Sequence, residues 1–427
     1  MSNNIISIDE CTEIVRNSGE ATPSFKIVNY RLEEIGGMPG YMAEYAHLMI
    51  TIERTDGHIQ ELRYFTKYVP FGDPVLLSFI RDSGIFSKES TAYRELIEKC
   101  NQNPSQVTKW RPSCWLAREE LIVMEDLTES GYRSLPNRMD FGTQHILLML
   151  DALAQMHACS LDLEFNRIEG EKFEDKFATT VYETTFMKAN TWFAAGLRGI
   201  QIVAMERSKY ATNENCRKRM ESEMETRMDK IYELCESTNK FQSVMVHRDL
   251  WSNNIMFRFE KNSSDGTINY EKPLSCVLLD FQMARYLPPA VDVLCAIYVL
   301  ANRTNREQFY DTYVKYYHQV LTEKLRLLHL EIDSILPWQQ YLESLDHYRL
   351  VGMLWSGVLL QFVSFPKGYL DDLHLNDPKA YHEFCNDNRR DVILEFMDKD
   401  SYYRDTVLGS VEETLKYMFG FGAKDCL

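Results

Sequence analysis

The chain has 427 residues, of which 45% are hydrophobic, and a formal net charge of −16 at pH 7. This composition excludes a disordered chain, and the length allows two or three domain-sized units or one two-lobed enzyme. The acidic balance argues against nucleic-acid backbones as partners, because they require clustered Lys and Arg.

The first third of the chain is predicted to be rich in strands. The stretch "AHLMITIE" (Ala46–Glu53) alternates with the period of a half-buried strand. An Asp-Gly turn follows and "IQELRYFTKYV" is again extended, so the two segments predict a hairpin. Apolar residues at helical spacing then predict a helix over Ile85–Cys100. A short apolar strand is predicted within "ELIVMEDL" (Glu120–Leu127).

The rest of the chain is predicted to be mainly helical. An apolar-faced helix of about five turns is predicted over Gly142–Leu161. Residues from about 165 to 240 are predicted to be helical, with a charged, solvated face. The exception is Val244–Asp280, which predicts two strands joined by a polar loop. We therefore expect an α+β fold of two lobes, a small β-rich lobe over residues 1–125 and a larger, mainly helical lobe over residues 126–427.

Membrane and secretory features are not expected. The most apolar late segment, Leu350–Phe365, is interrupted by Gly, Ser and Gln and is shorter than the ~18–20 residues that cross a bilayer, so a buried helix is predicted. The ten cysteines form no CxxC pair, and the N-terminal residues do not resemble a secretory signal. These features predict reduced thiols and a cytoplasmic protein that does not bind a membrane.

The stretch "VMVHRDLWSNNIMFRFE" (Val244–Glu260) places Asp249 and Asn254 just before a predicted strand. The polar loop "KNSSDGTINYEKP" follows, and the returning strand "LSCVLLD" ends at Asp280. In an antiparallel pair these two ends coincide and the strands lie only about 4.8 Å apart, so Asn254 and Asp280 should converge beside Asp249. Such a cluster of hard oxygen atoms suits Mg²⁺, which takes few protein ligands and keeps places for phosphate oxygens.

The same stretch resembles a known family. "HRDLWSNN" followed by "LLDFQ" looks like the catalytic loop and metal-binding turn of the protein-kinase-like fold. The Trp after "HRDL", the double Asn and the "DFQMARY" ending resemble in particular the ecdysteroid kinase-like family, insect small-molecule kinases related to choline and aminoglycoside kinases. Similar segments run from about residue 36 to residue 365. The resemblance implies a two-lobed protein-kinase-like fold with ATP and Mg²⁺ as cofactors.

The resemblance also implies roles for individual residues. Asp249 resembles the catalytic Asp that accepts the proton of the substrate hydroxyl, and Asn254 and Asp280 resemble the Mg²⁺ ligands. Lys67 stands where the family has its phosphate-binding Lys, with Glu89 as its expected ion-pair partner. Plainer interpretations stay open, namely a surface lysine that closes a strand and a first-turn acid favoured by the helix dipole.

Four further residues are given supporting roles by the same resemblance. His247 is expected to brace the "DFQ" segment, and Asp292 to fix the backbone of the catalytic loop. "VMEDL" resembles the hinge, where backbone groups around Glu125 and Leu127 would bind adenine.

Two departures from the family pattern stand out. There is no G-x-G-x-x-G motif. Gly36, Gly37 and Gly40 stand at the expected place, although an ordinary turn explains them equally well. Arg248 occupies a position that is usually Gly in small-molecule kinases, whereas in protein kinases such an Arg often binds a phosphorylated activation loop.

Two spacings favour a small-molecule kinase over a protein kinase. Asp280 and Asp292 are 12 residues apart, too few for an activation segment, and no A-P-E follows. About 85 residues separate Leu161 from His247, and this inserted segment is expected to help build an acceptor pocket. The bulky apolar stretches Asn190–Leu197 and Met353–Phe365 are candidate pocket walls, although any buried helix would carry such residues.

The sequence thus predicts a kinase that transfers the γ-phosphoryl group of ATP to a small-molecule alcohol. An ecdysteroid or similar hydroxylated apolar molecule is the leading acceptor. The main alternative is a protein that binds nucleotide or ligand without catalysis, although Lys67, Asp249, Asn254 and Asp280 are all present. A choline-like kinase and a protein kinase are less favoured, and the oligomeric state is open.

Overall fold

The computed structural model describes residues 5–21, 24–36, 43–100 and 109–422. Strands dominate the described chain up to Glu125, and helices dominate after it. This is the predicted α+β arrangement, with a β-rich N-terminal sheet and a larger helical C-terminal part.

Five strands form one antiparallel sheet in the order β1-β2-β3-β5-β4. They are β1 (Phe25–Glu34), β2 (Glu44–Arg54), β3 (Ile59–Tyr68), β4 (Cys114–Arg118) and β5 (Leu121–Glu125). Helix α1 (Ile8–Ser18) contacts β4. Its first turn is capped because the Ser7 hydroxyl accepts the Glu10 N–H while the Glu10 carboxylate accepts the Ser7 N–H. This reciprocal cap satisfies backbone donors that a helix start leaves unpaired.

The predicted hairpin is present as β2 and β3. The alternate apolar residues of β2 are buried: Ala46, Leu48, Ile50 and Ile52. Gly57 forms the turn with a φ of 80°, a left-handed conformation that glycine adopts without steric cost. The register places Lys67 between Tyr45 of β2 and Ile122 of β5, inside the sheet rather than at its edge.

The predicted helix over Ile85–Cys100 is present and follows helix α2 (Pro74–Ser83). It comprises α3 (Ile85–Thr91), a π-helical segment (Ala92–Ile97) and the short α4 (Glu98–Cys100). Segments with π-helical bonding are rare and often lie at functional sites. Glu89 is one of the buried residues of α3, so its carboxylate lies inside the protein rather than in solvent.

The central helix of the C-terminal part is α5 (Thr143–Asp162), close to its predicted bounds. Together with its π-helical end it spans Thr143–Arg167. Among the described residues it alone is long and apolar enough to cross a bilayer, but 83% of its apolar window is buried inside the protein. Such burial is typical of a core helix.

The inserted segment is only partly helical, so the prediction of helix from about 165 to 240 is wrong in part. Its helices are α6 (Phe173–Lys176), α7 (Thr191–Glu206), α8 (Glu214–Met228) and α9 (Lys230–Leu234). Residues 177–190, between α6 and α7, form no regular element. This stretch contains four threonines, whose branched side chains and hydroxyls disfavour helix.

Two small sheets flank the segment that carries Asp249, Asn254 and Asp280. One pairs β7 (Val244–Val246) with β10 (Arg285–Leu287), and the other has β6 (Tyr132–Arg133), β8 (Ile255–Lys261) and β9 (Ile268–Leu278). The predicted polar loop before the returning strand is wrong in its length, because β9 already begins at Ile268. In its first half Ile268 and Tyr270 pack against the core, whereas Glu271 and Lys272 are exposed. Pro273 sits at a register shift, where the strand tolerates a residue without an N–H group.

The remaining helices complete the C-terminal part, and they include the helix predicted at Leu350–Phe365. They are α10 (Pro289–Leu300), α11 (Arg303–Leu327), α12 (Ile332–Ile335), α13 (Trp338–Val363), α14 (Tyr369–Asn376), α15 (Pro378–Asn386), α16 (Arg390–Lys399) and α17 (Ser401–Phe419). Helix α13 packs against α7, α10 and α17, and most of its residues are buried. The described cysteines are free thiols.

Candidate active site

The β8–β9 hairpin brings three polar residues together, as its predicted geometry requires. Asn254 lies immediately before β8 and Asp280 lies two residues after β9. The two ends are joined because the Leu279 N–H donates to the Asn254 carbonyl at 2.9 Å. The Asn254 amide donates to the Asp249 carbonyl at 2.9 Å and to its carboxylate at 3.0 Å.

Lys67 links this hairpin to the N-terminal sheet. Its Nζ lies 2.6 Å from Oε2 of Glu89 and 3.1 Å from Oδ2 of Asp280, so the predicted ion pair is present. Burial alone would lower the pKa of Lys67, but the carboxylates of Asp280 and Glu89 hold it well above its usual value. Both Lys67 and Glu89 are buried, which excludes a surface lysine and a solvent-facing acid at a helix start.

The carboxyl groups around Lys67 carry more negative charge than one lysine neutralises. Burial, together with the charge of Asp280, raises the pKa of Asp249 to about 7. The same two causes raise the pKa of Glu89 to about 7, although Lys67 opposes the shift. Gln282 donates to the Asp249 carboxylate at 3.3 Å. A cation placed among these groups would stabilise their ionised forms.

The donor set fits a magnesium ion. Oδ1 of Asp280 is buried and has no hydrogen-bond partner among the described residues. The Asn254 side chain donates through its nitrogen to Asp249, which leaves its amide oxygen for a ligand. No group of three or more His, Cys, Asp or Glu side chains able to hold a metal occurs in the described chain. Two protein ligands plus phosphate oxygens and water are the usual set for Mg²⁺.

The backbone of the catalytic loop is held by Asp292. Its carboxylate accepts the N–H groups of His247 and Arg248, each at 2.6 Å, and also contacts His157 at 3.0 Å. His247 contacts the Leu279 carbonyl at 2.8 Å, directly before Asp280 in the chain. Burial lowers the pKa of His247, so its ring is neutral and suited to bracing rather than to carrying a proton.

Arg248 has a partner that the sequence did not reveal. It is buried, with a left-handed backbone φ of 65°, which explains why glycine is usual at this position. Its guanidinium donates to the Glu183 carboxylate at 2.7 and 2.9 Å. Glu183 lies in the irregular part of the inserted segment, 65 residues earlier in the chain. Neither the periodicity nor the motif spacing of the sequence predicts this contact. The only indication was the arginine at position 248, whose side chain needs an anionic partner when it is buried.

The predicted hinge lies at the end of β5 and in the turn after it, but some of its backbone groups are already engaged. The Glu125 N–H donates to the Ser113 carbonyl at 2.9 Å, and the Leu127 carbonyl accepts the Tyr132 N–H at 3.0 Å. The Glu125 carboxylate is bound by Lys109. Any adenine contact by these two residues therefore has to use the Glu125 carbonyl or the Leu127 N–H.

The candidate pocket walls are packed against each other. A Cβ on Gly196 of α7 would lie 2.4 Å from the side chain of Val358 of α13, so the two helices are in close contact. Phe193 and Trp355 are buried in this contact. These contacts favour the alternative interpretation of the two stretches, in which their apolar residues form helix–helix core, and the role of the stretches as pocket walls stays a prediction. Of the proposed phosphate loop, Gly37 and Gly40 lie outside the described residues, and Gly36 is exposed.

Sequence comparison identifies one family and no individual relative. A model of the ecdysteroid kinase-like family matches residues 38–330, more than half of the chain. This is the family that the catalytic motifs resemble. No curated protein matches the chain at a significant level.

Solved structures of small-molecule kinases align with most of the chain at low identity. An ethanolamine kinase of Plasmodium vivax is 11% identical with a TM-score of 0.45, over 98% of this chain and 86% of that one. A microcompartment-associated aminopropanol kinase is 10% identical with a TM-score of 0.38, over 98% and 99%. The choline kinase LicA of Streptococcus pneumoniae is 12% identical with a TM-score of 0.31, over 80% and 100%.

Proposed function

Because the chain belongs to the ecdysteroid kinase-like family, we propose that it is an ATP- and Mg²⁺-dependent kinase that phosphorylates a small-molecule alcohol. The observation that carries the proposal is the position of Lys67, which pairs with Glu89 and Asp280 at once. This contact joins the sheet, the α3 helix and the hairpin at one point. Phosphoryl transfer depends mainly on positioning and electrostatic stabilisation, which such a convergence of charges provides.

In this proposal Asp249 accepts the proton of the acceptor hydroxyl. Asn254 and Gln282 donate to its carboxylate and hold it in one orientation. Lys67 contacts the phosphates while Glu89 keeps its ammonium in place. Asp280 and Asn254 would hold Mg²⁺, which when bound neutralises negative charge on the phosphate oxygens. The Glu125 carbonyl and the Leu127 N–H are the groups proposed to bind adenine.

For the acceptor, we propose an ecdysteroid or similar hydroxylated apolar molecule, and the family membership is what supports this choice. The acceptor does not have to carry a charge in this proposal, since Lys67 and the metal site would bind the phosphates. The acceptor has only to be held and oriented. A choline-like cation would instead require a cage of aromatic side chains to bind its quaternary ammonium group. The alternative without catalysis has less support, since Lys67, Asp249, Asn254 and Asp280 are retained together at one site.

The proposal is tested by incubating the purified protein with ATP and Mg²⁺ and a panel of hydroxylated steroids, choline-like alcohols and aminoglycosides. Mass spectrometry of the products should detect a phosphorylated steroid and no phosphocholine. Asp249→Asn is the matched control for contaminating kinases. Choline turnover without steroid turnover would overturn the acceptor class alone. Tight ATP binding with no phosphorylated product from any acceptor would favour the protein without catalysis.

A further inference from the structure

Helix α3, which carries Glu89, is anchored to the inserted segment by a buried lysine. Nζ of Lys88 donates to the Tyr182 carbonyl at 2.8 Å and lies 5.1 Å from the centre of the Tyr182 ring. The Tyr182 hydroxyl donates to the Gly84 carbonyl at 3.2 Å, just before α3 begins. Consecutive helical residues lie about 100° apart around the axis, so an anchor at Lys88 fixes the rotation that presents Glu89 to Lys67.

The next residue of the inserted segment is anchored to the catalytic loop. Glu183 accepts two hydrogen bonds from Arg248, which immediately precedes Asp249 in the chain. A second guanidinium, that of Arg285 in β10, lies 3.6 Å from the Glu183 carboxylate and donates to the Val181 carbonyl at 2.6 Å. Three consecutive residues of the segment are thus each held by a different buried basic side chain.

Glu183 is well placed to act as a fixed anion. Its Oε1 also accepts the N–H groups of the three residues that follow it, at 3.0, 2.8 and 2.9 Å, so the carboxylate is tied to its own backbone. A bidentate guanidinium–carboxylate pair has a defined geometry, so it fixes Arg248 in orientation as well as in position. Arg248 needs such a partner, because a buried guanidinium is costly unless a carboxylate pairs with it.

Elsewhere among kinases, an arginine can gain its anion only when an activation loop is phosphorylated, which then orders the loop. In this chain Asp280 and Asp292 are only 12 residues apart, which leaves no room for such a loop. The inserted segment supplies a carboxylate to Arg248 instead.

We propose that Glu183 is a positioning residue for phosphoryl transfer, and that Val181–Glu183 holds α3 and the catalytic loop in their active arrangement without any phosphorylation. This inference rests on the proposed kinase function. The segment acts on Glu89 through the Lys88–Tyr182 contact and on Asp249 through Arg248.

The first test replaces Lys88 by Met, which keeps an unbranched side chain as far as Cε and removes the amine. In Lys88→Met we expect the KM for MgATP to rise about tenfold, equivalent to about 1.4 kcal/mol, with the KM for the acceptor unchanged. A general loss of stability would not separate the two constants in this way. The matched control is Arg198→Met, because the exposed Arg198 of α7 also donates to a backbone carbonyl, that of Asp387, and should leave both constants unchanged.

The second test replaces Glu183 by Gln, which keeps the shape and removes the charge. We expect kcat to fall about tenfold or more, and Glu183→Asp to recover part of the loss because it restores the carboxylate. The control is Glu206→Gln, since Glu206 forms a bidentate pair with Arg390 at 2.7 Å on the surface of the same inserted segment. An unchanged kcat in Glu183→Gln, or a loss no larger than that of Glu206→Gln, would overturn the role of Glu183.

A readout that needs no activity separates this inference from the proposed function. Amide hydrogen exchange of the free protein should become faster in Ile85–Thr91 in Lys88→Met and in Glu183→Gln, and in neither control. If the wild type transfers no phosphoryl group to any acceptor, the proposed function fails, and the exchange of α3 together with the calorimetric affinity for MgATP still tests the anchor. Unchanged exchange in Ile85–Thr91, or unchanged MgATP affinity in Lys88→Met, would overturn the inference.

Discussion

Two buried ionic clusters meet at the catalytic loop, and their charges are opposite in sign. The acidic cluster comprises Lys67, Glu89, Asp249 and Asp280. The basic cluster comprises Lys88, Glu183, Arg248 and Arg285. One cation faces three carboxyl groups in the first, and three basic side chains surround one carboxylate in the second.

The clusters differ in how far the protein's own groups balance the charge of their carboxylates. In the acidic cluster, burial and mutual repulsion raise the pKa of Asp249 and of Glu89 to about 7, so their ionised forms are disfavoured in the free protein. In the basic cluster, burial opposes ionisation, yet Arg248 and backbone N–H groups hold the pKa of Glu183 at about 2. Burial also lowers the pKa of Lys88 well below its usual range. The acidic cluster is therefore suited to receive cations with a ligand, whereas the basic cluster already holds its one carboxylate in the ionised form without a ligand.

The largest expected effect comes from removing Asp280, the carboxylate of the acidic cluster that keeps one oxygen atom without a hydrogen-bond partner among the described residues. Asp280→Ala should lower turnover by about a thousandfold or more, because a metal clamp on phosphate contributes several kcal/mol to the transition state. Asn254→Ala should be less damaging, since water can replace a neutral ligand. Turnover measured against Mg²⁺ concentration gives the order of the two variants. An unchanged Mg²⁺ dependence in Asp280→Ala would mean that the hairpin holds no metal.

Asp249→Asn should separate activity from stability. Turnover should fall by about 10²–10⁴-fold, because a positioned general base is lost, while nucleotide binding is largely kept. The free protein should become more stable, because the folded pKa of about 7 lies above the usual value of 3.8 and ionised Asp249 is therefore costly when buried. The gain should be largest above pH 7 and should disappear as the pH falls towards 4. Thermal melting from pH 4 to 9 measures it, and a variant that melts below the wild type at pH 8 would contradict the charge argument.

The basic cluster should behave in the opposite way. Glu183→Ala should destabilise the protein by about 3–5 kcal/mol, because it leaves Arg248 buried without its carboxylate. Glu206→Ala breaks an exposed pair and should cost less than about 1 kcal/mol. Urea unfolding of both variants measures the difference. Equal losses would show that the buried pair contributes no more than a surface one.

The smallest effect concerns the pairing inside the acidic cluster. A double-mutant cycle of Lys67→Met and Glu89→Gln on MgATP affinity should give a coupling of about 0.5–3 kcal/mol, as neighbours in one network usually do. Lys67 also contacts Asp280, so the Glu89 variant alone should retain part of the affinity. Strict additivity would mean that the two side chains act on the nucleotide independently.

The acidic cluster was largely predictable from the sequence, and the reason is local geometry. Asn254 and Asp280 flank one hairpin, and the antiparallel pairing of its strands forces their ends together whatever the rest of the fold does. Lys67 and its partner Glu89 followed from the family resemblance. The start of β9 was missed because the stretch "KNSSDGTINYEKP" is mostly polar and contains an Asp-Gly pair and a proline, which is the composition of a loop.

The basic cluster was not predictable by the same means. Glu183 belongs to an irregular segment with no period, and its contact with Arg248 spans 65 residues of chain that tertiary packing alone brings together. The candidate acceptor walls could not be told from core by sequence for a related reason. Bulky residues on α7 and α13 have the same sequence pattern whether they line a pocket or pack a core, and the close approach of Gly196 to Val358 selects the core.

The central claim is that MgATP completes the acidic cluster, and the affinity for ATP with and without Mg²⁺ tests it most directly. Calorimetry at pH 7, in two buffers that differ in ionisation enthalpy, gives both the affinity and the protons released. We predict that Mg²⁺ strengthens ATP binding to the wild type and that protons leave Asp249 and Glu89 on binding, since a cation lowers their raised pKa values. Asp280→Ala should lose the Mg²⁺ effect. Equal ATP affinity with and without Mg²⁺ in the wild type, with no proton release, would contradict the account.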